Sequence, residues 1–196
     1  MDYSQFLIMR GEISLLLVFL LIFLFDTFGG KKSLKGLSIT ACVLFALHTV
    51  WNIIPVDSAT AFGGMYQTSP IASMVKTVLN IGTLIVLLQS VSWSDTPDVK
   101  LRRGEFYELL LVTLFGMYLM VSSGHFLLFF IGLETASLPM AALIAINKKD
   151  TESYEAGAKY LFTAVFSSAV FLLGLSFLYG LLGSLFFGDI AVAIAS

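Results

Sequence analysis

Two ionisable residues stand inside long apolar stretches of the sequence, and both could carry a proton. Glu134 lies within FFIGLETASLPM, residues 129–140, and Lys159 lies near the start of the next apolar stretch. A charged group at the centre of a membrane helix costs roughly 2.5–3.5 kcal/mol on insertion scales, so it requires a partner, a changed protonation state or water. A carboxylate and an amine in this setting therefore predict proton transfer within the apolar region.

The two charges belong to neighbouring antiparallel helices in the predicted arrangement. Glu134 is the tenth residue of a helix predicted over 125–146, which places it about 15 Å along the axis. Lys159 is about six residues into the next predicted helix, 153–183, which runs in the opposite direction. Their depths would then differ by about one helical turn. We therefore predict a buried ion pair between Glu134 and Lys159, whose desolvation opposes its mutual attraction.

Hydroxyl side chains accompany each charge on the same helix face. They follow the charges at spacings of three, four or eight residues, as Ser137 after Glu134 and as Thr163 and Ser167 after Lys159. Hydroxyls on facing helices can hold water or a proton relay between them. These three residues are therefore the predicted polar lining of the site.

Pro139 and Lys76 complete the set of candidate residues, and each also has a structural explanation. Pro139 removes a backbone N–H and frees the carbonyl of Thr135 beside the carboxylate, but an ordinary membrane-helix kink looks the same. Lys76, with Asn80 one turn later, is a further candidate for proton translocation, although a lysine near a helix end can also snorkel to the interface.

The two principal charges have structural explanations as well. A carboxylate kept neutral by a hydrogen bond accounts for Glu134, and snorkelling accounts for Lys159.

Composition and apolar segments define the class of protein. Hydrophobic residues make up 58% of the 196 residues and charged residues 12%, about half the charged share of an ordinary globular chain. The mean hydropathy is +0.92. The apolar runs lack the alternation of barrel strands, and a helix satisfies its own backbone in lipid. The prediction is an all-α membrane protein with about six spans, at about 11–29, 34–54, 71–93, 105–122, 125–146 and 153–183.

Basic residues cluster in alternate loops and predict the orientation. Eight of them fall in the first, third and fifth connections between spans, and Arg10 is on the other side; the eight are Lys31, Lys32, Lys35, Lys100, Arg102, Arg103, Lys148 and Lys149. Cytoplasmic loops carry such an excess. We expect an integral, multi-pass protein with these loops in the cytoplasm and both termini of the chain on the outer side.

Several functional classes are not supported by the residues. Cys42 is the single cysteine, so this chain cannot supply a disulfide or a cysteine-ligated cluster. It has no glycine-rich phosphate loop and no metal-ligand spacing. The net charge of −2 gives no reason to expect a nucleic-acid partner. Any catalysis would therefore take place in partner subunits.

Two segments resemble a known family. They are FYELLLVTLFGMYLMVSSGHFLLFFIGLETASLPM, residues 106–140, and YEAGAKYLFTAVFSSAVFLLG, residues 154–174. Both are similar to subunit N of the proton-pumping NADH:quinone oxidoreductases, respiratory complex I, an antiporter-like membrane subunit. The residues Gly132, Leu133 and Glu134 carry the likeness, since the paralogous subunits usually have tryptophan before the glutamate. GEISLLLVFLLIFLFD, residues 11–26, looks like the family's first helix.

The resemblance implies proton translocation driven by quinone reduction in another subunit. Glu134 and Lys159 match charges of an intramembrane series, and Lys76 falls where the family commonly has a lysine. Quinone, NADH, FMN and iron–sulfur clusters would belong to partner subunits, with no cofactor in this chain. The implied partners are other membrane subunits of complex I, the lipid bilayer and protons, in what we expect to be a bacterial plasma membrane.

The family has more than twice as many helices, arranged as inverted repeats after three accessory spans. Residues 1–103 match the accessory helices, and residues 104–196 match three helices of the first repeat. We expect the chain to be a fragment of a longer protein rather than a natural truncation.

Two other functions remain open at this point. One is a subunit of a monovalent cation/proton antiporter, which would use the same helices with sodium as the coupling ion. The other is a structural membrane module whose charges fix helix register and a partner interface, without transport.

Overall fold

The computed structural model describes residues 4–28, 30–94, 96 and 100–195. Its helices are α1 (Ser4–Ile8), α2 (Arg10–Phe28), α3 (Gly30–Asn52), α4 (Pro70–Trp93), α5 (Arg103–Val121), α6 (Phe126–Ile144), α7 (Thr151–Leu182) and α8 (Phe187–Ala195). Two short strands, β1 (Ala59–Ala61) and β2 (Tyr66–Thr68), lie between α3 and α4. The prediction for the two termini falls on residues 1–3 and 196, outside the described residues. So do the side chains of Lys31, Lys32 and Lys35.

Long apolar helices form the body of the molecule, and the predicted all-α membrane class is confirmed. Helices α2, α4, α5, α6 and α7 are each long and apolar enough to cross a membrane. Helix α3 is the sixth long helix of the described chain, and its apolar portion is the shorter segment Gly36–Asn52. The predicted spans coincide with these six helices to within four residues at each end.

Local sequence signals set the ends of the helices that carry the charges. Ser69 caps α4 by accepting a hydrogen bond from a first-turn N–H, and Pro70 occupies the first helical position. Asp150 caps α7 in the same way. Gly183, with a φ of 68°, follows the last residue of α7, where a left-handed conformation favours glycine. The positions of Lys76 and Lys159 along their helices follow from these fixed starts.

The hairpin of α5 and α6 is the closest helix pair. A Cβ added at Gly116 would lie 2.4 Å from the backbone N of Ala136, and one added at Gly132 would lie 2.8 Å from the carbonyl O of Gly116. Small residues permit such close approach of membrane helices. The antiparallel reversal predicted at residues 122–124 is therefore confirmed, and it fixes α6, which carries Glu134.

One hydrophobic core joins the first four long helices. Its buried members include Leu15 and Ile22 of α2, Phe45 of α3, Leu87 of α4 and Leu111 of α5. Helix α7 packs on α6 outside this core. Its apolar surface is largely exposed in the chain, as expected for a helix that faces lipid or further protein.

A β-hairpin covers the end of the bundle at which α5 turns into α6. Strands β1 and β2 pair antiparallel, and Gly63 and Gly64 in their turn have φ of 66° and 89°. The Gln67 N–H donates to the Ser122 carbonyl over 2.7 Å, so β2 is attached to the helix turn. We call this the hairpin end. The hairpin was not predicted, because its three-residue strands lie in a loop outside the apolar spans.

Candidate functional site

Glu134 lies in the middle of α6 and faces α7. Its side chain is half-buried, and its carboxylate accepts a hydrogen bond from the hydroxyl of Ser168, which is 8% exposed. A hydrogen bond to a carboxylate is stronger than one between neutral groups. The carboxylate therefore has a partner on the neighbouring helix, as its depth requires, but this partner is a serine.

The predicted ion pair between Glu134 and Lys159 is wrong. Lys159 Nζ lies 2.5 Å from Glu155 Oε1 one turn earlier on α7, and the two side chains are 74% and 66% exposed. Ser168, which contacts Glu134, is nine residues farther along α7 than Lys159. Nine residues correspond to about 13 Å of helix. The two charges are therefore offset along the helices by more than two turns, not by one.

The register of α6 and α7 explains this offset. A Cβ added at Gly157 would lie 2.7 Å from Cβ of Ala145 and 3.2 Å from the carbonyl O of Ala141. This close approach sets Gly157 beside the carboxyl-terminal part of α6. Lys159, two residues later, is therefore level with that part of α6 and far from its centre. A depth predicted from helix ends alone does not include the effect of this contact.

Two of the three residues predicted as a polar lining, Ser137 and Ser167, border the same cavity, and Thr163 does not. Thr163 and Ser167 are exposed on α7, and each hydroxyl donates to the carbonyl one turn earlier, over 2.9 and 2.8 Å. Ser137 on α6 donates to the Glu134 carbonyl over 3.4 Å. Ser137, Ser167 and Ser168 line a cavity of about 300 Å³ between α6 and α7, together with Leu133, Ala164 and Phe171. The hydroxyls next to Glu134 therefore border a space that is largely apolar.

Pro139 lies within α6, five residues after Glu134, and the helix continues through it to Ile144. Thr135 uses its hydroxyl to bond the Ile131 carbonyl over 2.7 Å. The helix is thus continuous at Pro139, and a functional role for this residue stays a prediction.

A second charged cluster lies at the hairpin end and was missed by the sequence analysis. Lys76 Nζ on α4 lies 2.6 Å from Glu12 Oε1 on α2, and the two residues are 7% and 1% exposed. The alternative that Lys76 snorkels to the interface is wrong, because its amine is buried against Glu12. Both residues were visible in the sequence, but they are 64 positions apart, and spacing alone did not pair them.

Tyr66 of β2 completes the surroundings of this pair. Its hydroxyl donates to Glu12 Oε2 over 2.9 Å and accepts from Lys76 Nζ over 3.3 Å. The Ser122 hydroxyl lies 3.4 Å from Glu12 Oε1. Burial, and secondly the negative charge of Glu12, raise the pKa of Tyr66 above its ordinary value. The phenol therefore stays protonated and remains a donor to the carboxylate.

A hydrogen-bonded chain adjoins the pair on its interior side. Lys76 Nζ lies 5.2 Å from the ring centroid of Tyr118. The Tyr118 hydroxyl donates to Asn80 Oδ1 over 2.6 Å and lies 3.2 Å from His48 Nε2. His48 Nδ1 in turn lies 3.0 Å from the Ser14 hydroxyl. Four helices thus contribute polar side chains to a single buried cluster.

The fold is similar to that of antiporter-like membrane subunits. The family model described as NADH:quinone oxidoreductase/Mrp antiporter, TM, matches residues 123–195. Over 91% of this chain and 38% of the other, the structure superposes on a chain of respiratory complex I from Thermus thermophilus with a TM-score of 0.71 and 25% identity. It also superposes on a chain of the archaeal membrane-bound sulfane sulfur reductase with a TM-score of 0.69 and 20% identity, a likeness of fold.

The most specific similarity is to NADH-quinone oxidoreductase subunit N. The proteins of that name from Phocaeicola vulgatus and Azobacteroides pseudotrichonymphae are 47% and 42% identical to this chain, over 99% and 100% of its length. The resemblance to subunit N, carried by the motifs, is confirmed. The chain spans 41% of the length of each of these two relatives.

Proposed function

We propose that this chain is part of a membrane subunit of an NADH:quinone oxidoreductase and takes part in proton translocation coupled to quinone reduction. The observation that carries the proposal is the Glu134 carboxylate, held in the middle of a membrane helix by a hydrogen bond from the buried Ser168. An ionisable side chain within a membrane helix is, as a rule, part of a functional site such as a proton pathway. The similarity to subunit N supports the same function.

Glu134 and Lys159 act as separate charges in this proposal. Thr163 and Ser167 lie on α7 between the levels of Lys159 and Glu134. A proton bound to Glu134 moves along the hydroxyls of α7, beginning at Ser168. Lys159, which is paired with Glu155, lies at the other end of this series of hydroxyls, about 13 Å along the helix from Ser168.

The remaining parts of the proposal concern organisation and surroundings. Residues 1–103 supply the accessory helices and residues 104–196 the first helices of an antiporter-like repeat. The basic connections face the cytoplasm and the hairpin end faces the outer side of a bacterial plasma membrane. NADH, FMN, iron–sulfur clusters and quinone bind to partner subunits.

Substitution of the carboxylate tests this function. Glu134→Gln, introduced into the chromosomal gene, should lower the number of protons pumped per NADH oxidised in inverted membrane vesicles, with unchanged abundance of the complex. Ser176→Ala, at an exposed position of α7, is the control and should pump normally. An unchanged proton-to-electron ratio in Glu134→Gln would contradict the proposal.

A cation/proton antiporter subunit is the second candidate, because the matching family model covers both kinds of protein. An antiporter would give a pH change in vesicles when sodium is added in the absence of NADH. A pH change that requires NADH and is independent of sodium favours the oxidoreductase.

A further inference from the structure

The Glu12–Lys76 pair is a buried pair of opposite charges that the Glu134 path does not use. The amine and the carboxylate are 2.6 Å apart and nearly inaccessible to solvent. Burying two charges carries a large desolvation cost, and apolar residues of similar volume are often at least as stable. A purely structural contact between α2 and α4 therefore does not require this pair of residues.

The surrounding hydroxyls connect the pair to buried residues of the hairpin end. Tyr66 belongs to β2 and Ser122 to the turn between α5 and α6, and both hydroxyls contact oxygens of Glu12. Glu12 is the third residue of α2, so it lies about 3 Å along the axis from the hairpin end of that helix. A proton on Glu12 is thus one hydroxyl away from the loops of this end.

The hydrogen-bond directions of the interior chain can be assigned from its partners. The Tyr118 hydroxyl donates to Asn80 Oδ1, so its oxygen accepts from His48 Nε2. The Ser14 hydroxyl donates to the Gly11 carbonyl. Nδ1 of His48 therefore accepts from Asn52 Nδ2 over 3.2 Å, and the ring proton lies on Nε2. Such a chain contains groups that can both give and receive a proton.

The cluster also extends into the bundle. Asn80 is the eleventh residue of α4, about 15 Å from the hairpin end along that helix. Glu134 is the ninth residue of α6, which starts at the same end, so its depth is about 12 Å. Within the described chain, the Nδ2 atom of Asn80 has no hydrogen-bond partner although the residue is fully buried. The interior end of the cluster therefore has an available donor near the depth of Glu134.

We propose that Glu12 and Lys76 form a second proton-carrying pair, which passes protons between the middle of the bundle and the hairpin end. Lys76 gives a proton to Glu12 across their 2.6 Å contact, as an N–H bond breaks and an O–H bond forms, and both groups become neutral. Breaking the O–H bond of Glu12 releases the proton toward the hairpin end, and a proton from the middle of the bundle restores the Lys76 ammonium. His48 and Tyr118 lie on the interior side of the pair, where Lys76 Nζ is 5.2 Å from the centroid of the Tyr118 ring. This inference rests on the proposed function in proton translocation.

A double substitution separates transport from folding. Glu12→Gln with Lys76→Met removes both charges together and leaves neither unpaired, so the complex should assemble. We expect fewer protons pumped per NADH oxidised in vesicles from this strain. Wild-type pumping by the assembled double variant would overturn the proposal and leave the pair as a structural contact.

Two conservative variants test the same idea without changing any charge. Tyr66→Phe removes the hydroxyl between Glu12 and Lys76, and Tyr118→Phe interrupts the chain between Asn80 and His48. Each should lower the proton-to-electron ratio at unchanged abundance of the complex. If the double variant fails to assemble, these two variants test whether the pair carries protons. Thr60→Val, exposed on β1, is the matched hairpin control. Normal pumping by both phenylalanine variants would overturn the proposal.

Glu134→Gln in the same strain background distinguishes this inference from the proposed function. Reduced pumping in Glu134→Gln with normal pumping in the double and phenylalanine variants would overturn the second pair alone. Normal pumping in all four variants would overturn both the second pair and the proposed function. Reduced pumping in the double variant with normal pumping in Glu134→Gln would support the second pair and remove Glu134 from the path.

Discussion

The carboxylate of Glu134 on α6 accepts its hydrogen bond from Ser168 on α7, nine residues beyond Lys159. This contact separates the two charges that the sequence led us to pair. It also gives Glu134 a neutral partner, which stabilises the carboxylate without a second buried charge. A carboxylate held in this way can change its protonation state without leaving an unpaired amine behind.

Removal of the Ser168 hydroxyl should affect Glu134 directly. Ser168→Ala should destabilise the protein by about 1–3 kcal/mol, since the half-buried Glu134 carboxylate loses a hydrogen bond from a buried hydroxyl. Thermal unfolding of the purified protein in detergent measures this loss, and the Ser176→Ala control should unfold as the wild type does. Equal unfolding temperatures for the two variants would show that the hydroxyl does not stabilise Glu134.

The positions of the helices could be predicted from the sequence because each apolar run has the length of one span and ends at polar or turn residues. The α5–α6 reversal followed from three residues that are too few for any other connection. The partner of Glu134 could not be predicted, because the register of α6 and α7 depends on the contact of Gly157 with Ala141 and Ala145. That contact depends on tertiary packing, which the hydropathy of the sequence does not reveal.

The Glu12–Lys76 pair escaped prediction for a different reason. Lys76 was a candidate from the sequence, and Glu12 lies in the segment that looks like the family's first helix, but their pairing requires α2 and α4 to approach the same hairpin. Tyr66, which joins them, lies in a loop whose strands were not predicted. Sequence reasoning thus found these two charges and did not find the structural element that brings them together.

Loss of one member of this pair should be far more damaging than loss of both. Lys76→Met alone leaves the Glu12 carboxylate buried without its counter-charge, which costs about 3–5 kcal/mol. Glu12→Gln with Lys76→Met should recover most of this stability. Unfolding in detergent of the wild type and both variants provides the measurement. If the double variant is as unstable as Lys76→Met, the cost does not come from an unpaired charge.

Thr113 on α5 offers a substitution that should stabilise the protein. The residue is 2% exposed, and among the described residues its hydroxyl has no hydrogen-bond partner. Valine has nearly the same shape and removes a desolvation cost of about 1–3 kcal/mol, so Thr113→Val should raise the unfolding temperature. Thr49→Val is the comparison, because the buried Thr49 hydroxyl donates to the Phe45 carbonyl over 2.9 Å and its loss should bring no gain. A gain of equal size at both positions would contradict the assignment.

The close packing of α5 on α6 predicts a strong position dependence for glycine substitutions. A Cβ at Gly116 would lie 2.4 Å from a backbone atom of α6, so Gly116→Ala must push the helices apart. Such overpacking costs about 1–3 kcal/mol. Gly174→Ala on α7 is the matched control, since a Cβ there meets no atom within 4 Å. Unfolding in detergent should show the loss in Gly116→Ala and none in Gly174→Ala.

The raised pKa of Tyr66 predicts a loss of stability in alkaline solution. Burial and the Glu12 carboxylate keep the phenol protonated in the folded protein, whereas in the unfolded chain it loses its proton near its ordinary pKa of about 10. Above that pH the unfolded state binds fewer protons, so the free energy of unfolding falls by about 1.4 kcal/mol per pH unit from this group. Tyr66→Phe removes the contribution, so the stability difference between wild type and variant should shrink as the pH rises above 10.

Thr60→Val on the same hairpin adds and removes no titrating group, and its difference from the wild type should stay constant over the same range. A Tyr66→Phe difference that also stays constant would mean that the phenol titrates alike in the folded and unfolded chains.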